Sequence, residues 1–274
     1  QGCFTEEKEE IRVPGRPLIE ISLTEVLSAT GMQVNINGKV TGPSPDLYVL
    51  NWGDDKGSTP FTQFPVSRNY PRPLGEDFRD YEISLVATGP DLCSTQKQAT
   101  VRVPGCPRLA LEATTETSST AAKVLLDLAI SGPAPALYVI DWGDRKGATT
   151  TNKFPVSRNF PRTVGKMFDE YEIHVSATGP QLCATGTSTR VQVPGCPRLT
   201  PEVTETLSAT GMQVVIDAII EGPAPDLFTV DWGDDKGATV AATLPVSRNF
   251  PRPAGQMHQD YRIRLRANGP EGCA

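Results

Sequence analysis

Hydrophobic and polar residues alternate along much of the chain, and this period of two predicts β-strands. In residues 81–87 the hydrophobic side chains occupy every second position, and the same run recurs at 171–177 and 261–267. Two further alternating runs lie at 34–40 and 48–52, with copies later in the sequence. No stretch has the 3.6-residue period of a long amphipathic helix. The pattern therefore predicts an all-β fold.

The predicted strands belong to a sequence unit that is present in three copies. A Trp-Gly-Asp tripeptide begins at Trp52, Trp142 and Trp232, and the differences 142 − 52 and 232 − 142 are both 90. Gly-Pro pairs and Asp-Asp-Lys-Gly or Asp-Arg-Lys-Gly stretches, which favour turns, separate the strands. About seven short strands in each unit are typical of an antiparallel immunoglobulin-like β-sandwich. The 274 residues are thus predicted to form three tandem domains.

The repeat is out of phase with the ends of the sequence. The first two units end in Val-Pro-Gly-Cys-Pro, at 103–107 and 193–197, whereas the third reaches Ala274 before this segment. Its counterpart, Val-Pro-Gly-Arg-Pro, stands at 13–17. We expect residues 1–14 to form a strand with no domain before it. Domains are expected at 15–104, 105–194 and 195–274, the last of them without its final strand.

A sandwich without its last strand leaves backbone N–H and C=O groups unpaired and an apolar groove uncovered, which favours the addition of another strand. Ile11 and Val13 stand at the repeat positions of Val101 and Val103, so the N-terminal segment has the side chains to fill such a groove. The expected donor positions are Phe4, Thr5, Glu9, Ile11 and Val13. The expected acceptor positions are Tyr261, Ile263, Leu265 and Ala267.

The donor segment leads directly into the first domain, so a short tether would have to span two domains to reach the third domain of the same chain. The sequence therefore predicts insertion into another copy. Such a head-to-tail contact does not pair a surface with itself, and its repetition makes a ring or an open filament.

Two other interpretations of the N-terminal segment stay open. The sequence is also compatible with a piece cut from a larger protein out of phase with its domains. The run Glu6–Glu10 is also typical of a solvated tail, although the aligned residues 96–98 are polar as well.

The six cysteines follow the 90-residue spacing and fall into two classes. Cys3, Cys93, Cys183 and Cys273 follow the penultimate strand, while Cys106 and Cys196 begin the second and third domains. Because the first strand of such a sandwich starts at the end where the loop before the last strand lies, we expect Cys106–Cys183 and Cys196–Cys273 bridges. The competing pairs, Cys93–Cys106 and Cys183–Cys196, would have to span a whole strand. Cys3 and Cys93 are then left free, or bond between molecules.

Composition limits the partners. The net charge is −6 and the pI is near 5.1, so no basic surface for nucleic acid is indicated. No apolar run approaches the roughly 20 residues of a membrane span. A chain that begins at Gln1, with cysteines in copied positions, is expected to be a processed, extracellular protein.

Other candidate chemistry is sparse. The acidic turns after each Trp-Gly could hold Ca²⁺, but no full oxygen shell is evident, and an ordinary turn is the preferred interpretation. The Ser-Arg-Asn blocks at 67–72, 157–162 and 247–252 could contact a glycan, although arginines that reach the acidic turns are preferred. His174 and His258 fall at unrelated repeat positions. We expect no metal site, no cofactor and no catalytic residues.

The order of motifs resembles a known family. In the middle copy, Tyr-Val-Ile-Asp-Trp-Gly-Asp is followed by Ser-Arg-Asn-Phe-Pro, a glycine and Tyr-Glu-Ile-His-Val. This order resembles the PKD domain, although Arg158-Asn159-Phe160 stands where that family has His-Thr-Tyr. The resemblance implies an immunoglobulin-like module of extracellular and cell-surface proteins, structural or adhesive, with no catalytic residues.

Together these features predict a non-enzymatic filament subunit whose partners are identical subunits. The alternative is an adhesive or carbohydrate-binding array of PKD-like modules within a larger cell-surface protein.

Overall fold

The computed structural model describes residues 3, 5–13, 15–89 and 93–273. The described chain is all-β, as expected. The first repeat contains β1 (Leu18–Leu27), β2 (Gly31–Thr41), β3 (Leu47–Asn51), β4 (Ser58–Phe61), β5 (Val66–Pro71), β6 (Phe78–Thr88) and β7 (Ser94–Pro104).

The second repeat reproduces these seven strands. They are β8 (Arg108–Thr117), β9 (Ala121–Ser131), β10 (Leu137–Asp141), β11 (Thr149–Thr151), β12 (Val156–Pro161), β13 (Phe168–Thr178) and β14 (Ala184–Pro194). The third repeat contains β15 (Arg198–Leu207), β16 (Gly211–Glu221), β17 (Leu227–Asp231), β18 (Thr239–Ala241), β19 (Val246–Pro251) and β20 (Arg264–Asn268). Within the described residues, the 3₁₀ turns Pro180–Leu182 and Pro270–Gly272 follow β13 and β20.

Each repeat builds two sheets. The strand orders are β1-β2-β5 with β4-β3-β6-β7, then β8-β9-β12 with β11-β10-β13-β14, then β15-β16-β19 with β18-β17-β20. The third repeat thus has a three-stranded sheet where the others have four strands. This arrangement is a tandem set of antiparallel β-sandwiches.

The chain divides into two compact units. One comprises Gln1–Leu109, Ile130–Ala136 and Ala177–Thr185, and the other comprises Ala110–Ala129, Leu137–Ser176 and Gly186–Ala274. Strands of the second repeat contribute to both units. The domain boundaries at residues 15, 105 and 195 stay a prediction.

A tryptophan lies at the centre of each core. Trp52, Trp142 and Trp232 are at most 2% exposed. Each indole Nε1 donates a hydrogen bond to a threonine hydroxyl, at 3.0 Å for Thr59 and 2.8 Å for both Thr149 and Thr239. The polar end of the ring is therefore satisfied while its body fills the space between the sheets.

Candidate functional site

The penultimate strand of the third repeat is shorter than its two copies. Strands β6 and β13 each have 11 residues, whereas β20 has 5 and begins only at Arg264. In the first repeat β6 pairs with β3 on one side and β7 on the other, and β7 provides a partner for every residue from Phe78 to Thr88. In the described part of the third repeat, β20 pairs only with β17, so one edge of the strand has no backbone partners.

The expected strand through 261–267 is therefore only partly right. Leu265 and Ala267 lie in β20, but Tyr261 and Ile263 precede it. Their counterparts Tyr81 and Ile83 are held in the sheet by Val101 and Ala99 of β7. In the first repeat, residues 78–83 pair only with β7, because β3 pairs only with Ser84–Thr88. Without such a neighbour, residues 258–263 have no interstrand partner in the described chain and lose the regular strand geometry.

The core beside this edge is open. Val214, Ile216, Val230, Trp232 and Phe250 form the buried cluster of the third repeat, and the side chains of Tyr261, Ile263 and Leu265 are only partly buried around it. In the first repeat the counterparts Ile83 and Leu85 are fully buried. The flank of the core that β7 covers in the first repeat is therefore partly exposed in the described third repeat.

A cavity of about 290 Å³ marks the opening. Its walls include Met212, Phe250, Gln259 and Tyr261. In the first repeat, the positions of Gln259 and Tyr261 belong to Arg79 and Tyr81, which pair with the buried residues Val103 and Val101. The cavity thus lies at the place that corresponds to Val101 and Val103 in the first repeat. We call the free edge of residues 259–268 and this cavity the acceptor groove.

The outward face of the acceptor groove is basic. Arg262, Arg264 and Arg266 are all exposed, and none of them forms an ion pair with another described residue. The equivalent residues are Glu82, Ser84 and Val86 in the first repeat, and Glu172, His174 and Ser176 in the second. These arginines are not among the acceptor positions expected from the sequence, although the alignment of the three copies already contains the difference in charge.

The expected donor segment has no partner in the described single chain. Residues 5–13 form no strand and are exposed; Ile11 is 84% and Val13 is 82% exposed. Their counterparts Val101 and Val103 are fully buried in the first sandwich. Phe4, also expected to belong to the donor strand, lies outside the described residues. The segment is acidic, with four glutamates and one lysine in positions 6–10.

Both disulfides preferred from the sequence are formed. Cys106 is bonded to Cys183, and Cys196 to Cys273, each with a Cα–Cα distance of 5.7 Å. Cys3 and Cys93 are free thiols, and Cys3 is exposed. Each bridge closes a loop of 77 residues, which in the chain-entropy model stabilises the fold by about 4.5 kcal/mol.

The first arginine of each Ser-Arg-Asn block is engaged within its own repeat. Arg68 lies 2.7 Å from Asp54, Arg158 lies 3.1 Å from Asp144, and Arg248 lies 2.7 Å from Asp234. The aspartate side chains are at most 9% exposed, so these pairs hold the acidic turn against the sandwich edge. This geometry agrees with the interpretation that the arginines reach the acidic turns.

The described residues offer little other chemistry. They contain no group of three or more histidine, cysteine, aspartate or glutamate side chains placed to hold a metal ion. Within the same ranges, no helix has the length and apolar character to cross a membrane.

No family model matches the chain, so its PKD resemblance stays a prediction, and no curated protein matches it. The chain is similar to a number of solved structures, among them the following three. One is from a 1.5-MDa bacterial ice-binding adhesin, with 13% identity, a TM-score of 0.34 and coverage of 83% of this chain and 84% of that one. Another contains three N-terminal domains of the bacteriophage RB49 outer capsid protein Hoc, with 12% identity, a TM-score of 0.33 and coverage of 82% and 78%. The third is a tetra-tandem repeat of a large adhesion protein, with 12% identity, a TM-score of 0.31 and coverage of 93% and 72%.

The acceptor groove leads to a testable difference between the repeats. In unassembled protein, the backbone amides of residues 259–263 should exchange with solvent faster than those of 79–83 and 169–173, because they lack an outer strand. Hydrogen–deuterium exchange of the monomer measures this directly. Equal protection in all three repeats would contradict an open groove.

Proposed function

We propose that this protein is a non-enzymatic structural subunit of an extracellular filament. Residues 5–13 of each incoming copy complete the third sandwich of the copy before it, and repetition of this contact makes the filament. The proposal rests above all on β20, which is contracted to residues 264–268 beside a free edge while its two copies are full strands beside a partner.

The repeat fixes the register of the proposed pairing. In the first sandwich Val101 is opposite Tyr81, Val103 is opposite Arg79 and Thr95 is opposite Ala87. With the 90-residue spacing, Ile11 is then opposite Tyr261, Val13 opposite Gln259 and Thr5 opposite Ala267. Ile11 and Val13 would enter the cavity, and burial of each side chain is worth about 1.5–3 kcal/mol. The backbone ladder adds about 1 kcal/mol for each hydrogen bond.

Charges on the outward face support the same register. The register places Glu10 opposite Arg262 and Glu6 opposite Arg266. Opposite charges directly across two paired strands stabilise the pair. Lys8 is opposite Arg264, but Glu6 and Glu10 are the diagonal neighbours of that arginine. On the outward face, Glu6 and Glu10 of the donor are therefore complementary to the arginines of the groove.

One ion pair of the first sandwich has a counterpart across the proposed contact. Arg102 of β7 donates hydrogen bonds to Asp80 of β6, at 2.8 Å from Nε and 2.9 Å from Nη2. The hydrogen bonds from the Arg102 guanidinium hold the pKa of Asp80 below its usual range. At the 90-residue spacing Arg12 of the donor faces Asp260 of the acceptor, so the same pair can form between two copies.

The charges also select which sandwich accepts the donor. In the first and second sandwiches, Glu82 and Glu172 occupy the position of Arg262 and would repel Glu10. Repulsion of this kind favours one partner over similar alternatives, because specificity depends on the difference between two affinities. The basic edge of the third repeat therefore favours head-to-tail growth over exchange of strands among the other repeats.

Location outside the cytosol is part of the proposal and rests on the two disulfides. Such bridges persist in oxidising compartments and are rare in reducing ones. The adhesive or glycan-binding alternative relied on the arginines of the Ser-Arg-Asn blocks and on the acidic turns. Those side chains pair with each other within each repeat, so they are less available for a ligand.

The alternation of the donor segment can be tested with two neighbouring substitutions. Ile11→Asp should abolish filament growth, because it would bury an unpaired carboxylate in the groove. Arg12→Ser is the matched control, because its counterpart Arg102 is exposed, and it should reduce growth only slightly. Electron microscopy and sedimentation measure polymer length. Equal growth of the two variants would contradict the proposed strand orientation.

The charge complementarity predicts a reciprocal effect. Replacing Arg262 and Arg266 with glutamate should slow subunit association at least tenfold at low salt, because electrostatic attraction increases the association rate. Changing Glu6 and Glu10 to arginine in the same chain should recover most of the rate. Light scattering at two salt concentrations follows the growth. The pairing would be contradicted if the variant with glutamate at positions 262 and 266, and with Glu6 and Glu10 unchanged, grew at the original rate.

A further inference from the structure

We infer that a second contact, separate from the donated strand, fastens each joint between subunits: Arg252 of one copy binds backbone carbonyl groups around Gly15 of the next. The inference rests on the proposed function. The contact lies outside the donated strand, at the start of the first domain of the incoming copy.

We call the boundary between two consecutive repeats of one chain an internal joint. The two internal joints show which groups this arginine binds when another repeat follows it. Arg72 donates to the carbonyl oxygens of Pro104 at 3.1 Å, Gly105 at 2.8 Å and Pro180 at 3.3 Å. The side chain therefore links the first repeat to the start of the second repeat and to one of its loops. Arg72 is only 8% exposed.

Arg162 repeats the arrangement at the next joint. It donates to the carbonyl oxygens of Pro194 at 3.0 Å, Gly195 at 2.9 Å and Pro270 at 3.2 Å, and it is 7% exposed. The same three acceptor positions are thus used twice. Because a charged donor to a carbonyl is stronger than a neutral one, the arginine is suited to hold two modules together.

Arg252 occupies the same repeat position but is exposed. It donates to the Ser208 carbonyl oxygen at 3.3 and 3.1 Å, a contact within its own repeat that Arg162 also makes with Ser118. The acceptor glycine lies 33 residues after Arg72 and Arg162, and 252 + 33 is 285. Three repeats span 270 residues, so position 285 of a continuous array is Gly15 of the next copy.

The glycine at this position gives an independent indication. A Cβ atom on Gly105 would lie 1.7 Å from the Glu76 carbonyl oxygen, and one on Gly195 would lie 1.9 Å from the Lys166 carbonyl oxygen. The preceding repeat therefore packs directly on both glycines. Gly15 has no such neighbour among the described residues, since the nearest atom to its Cβ position is Pro43 Cδ at 4.0 Å.

The matching surface on the third repeat is also uncovered. The amides of Gly105 and Gly195 donate to the carbonyl oxygens of Asp77 at 2.8 Å and Met167 at 3.0 Å. The corresponding acceptor in the third repeat is Met257, whose side chain is fully exposed. Both halves of an internal joint are therefore present on one chain without their partners: Arg252 and Met257 on the third repeat, and Gly15 at the start of the first.

The experiment uses two full-length variants that should leave the fold of the single chain intact. Gly15→Ala places a methyl group in open space in the isolated chain, but against a carbonyl group in the proposed joint. Arg252→Ala removes an exposed side chain, and Arg190→Ala is the control at another exposed arginine. We expect the Gly15→Ala and Arg190→Ala monomers to keep the original melting temperature, and the Arg252→Ala monomer to melt slightly lower, because Arg252 also donates to the Ser208 carbonyl oxygen of its own repeat. The critical concentration for polymerisation should rise at least tenfold for the first two variants and stay constant for the control.

A peptide of residues 3–13 separates the two contacts, because it carries the donor strand but lacks Gly15. Its affinity is measured on the non-polymerising Ile11→Asp chain, with and without Arg252→Ala, and should be the same. Weaker peptide binding with Arg252→Ala would overturn the inference, since the arginine would then act through the groove. Unchanged polymerisation of both variants would also overturn it while leaving strand donation in place. Failure of the unmodified chain to polymerise or to bind the peptide would instead refute the proposed function.

Discussion

The pairing of the penultimate strand with its outer neighbour is the interaction on which each sandwich depends. In the first repeat this ladder runs without a break from Phe78 to Thr88, and its inward residues close the core against water. In the third repeat, β20 still pairs with its inner neighbour β17 but has no outer neighbour in the described chain, and it is only five residues long. A strand with one unpaired edge beside a partly exposed core favours the binding of another strand. The edge needs backbone hydrogen-bond partners as well as apolar contacts.

The three repeats are alike inside and different at their edges. The tryptophans, the aromatic residues at 70, 160 and 250 and the arginine–aspartate pairs are reproduced in each copy, because they stabilise any one sandwich. Among the residues that differ are some that a neighbouring module or strand would meet, such as Arg262 in place of Glu82 and Glu172. Variation at such positions is suited to selective assembly of similar modules, since the shared core features cannot distinguish them.

The sequence predicted the parts of this structure that depend on local pattern. The period of two in residues 81–87, the 90-residue spacing and the turn chemistry were enough for the all-β repeat, and the positions of Cys106 and Cys183 at one end of a sandwich were enough for their bridge. The contraction of β20 could not be predicted in this way, because Tyr261 and Ile263 have the same alternation as Tyr81 and Ile83 and differ only in having no outer strand. The contrast between buried Arg72 and exposed Arg252 has the same origin, since the two arginines differ only in whether another module packs against them.

Electron cryomicroscopy of the assembled protein tests the central claim most directly. The account predicts filaments in which residues 5–13 of each subunit form the last strand of the adjacent third sandwich, antiparallel to a lengthened β20, with Ile11 beside Tyr261. Filaments in which these residues lie outside the sandwich, or a third sandwich closed by any other segment, would contradict it.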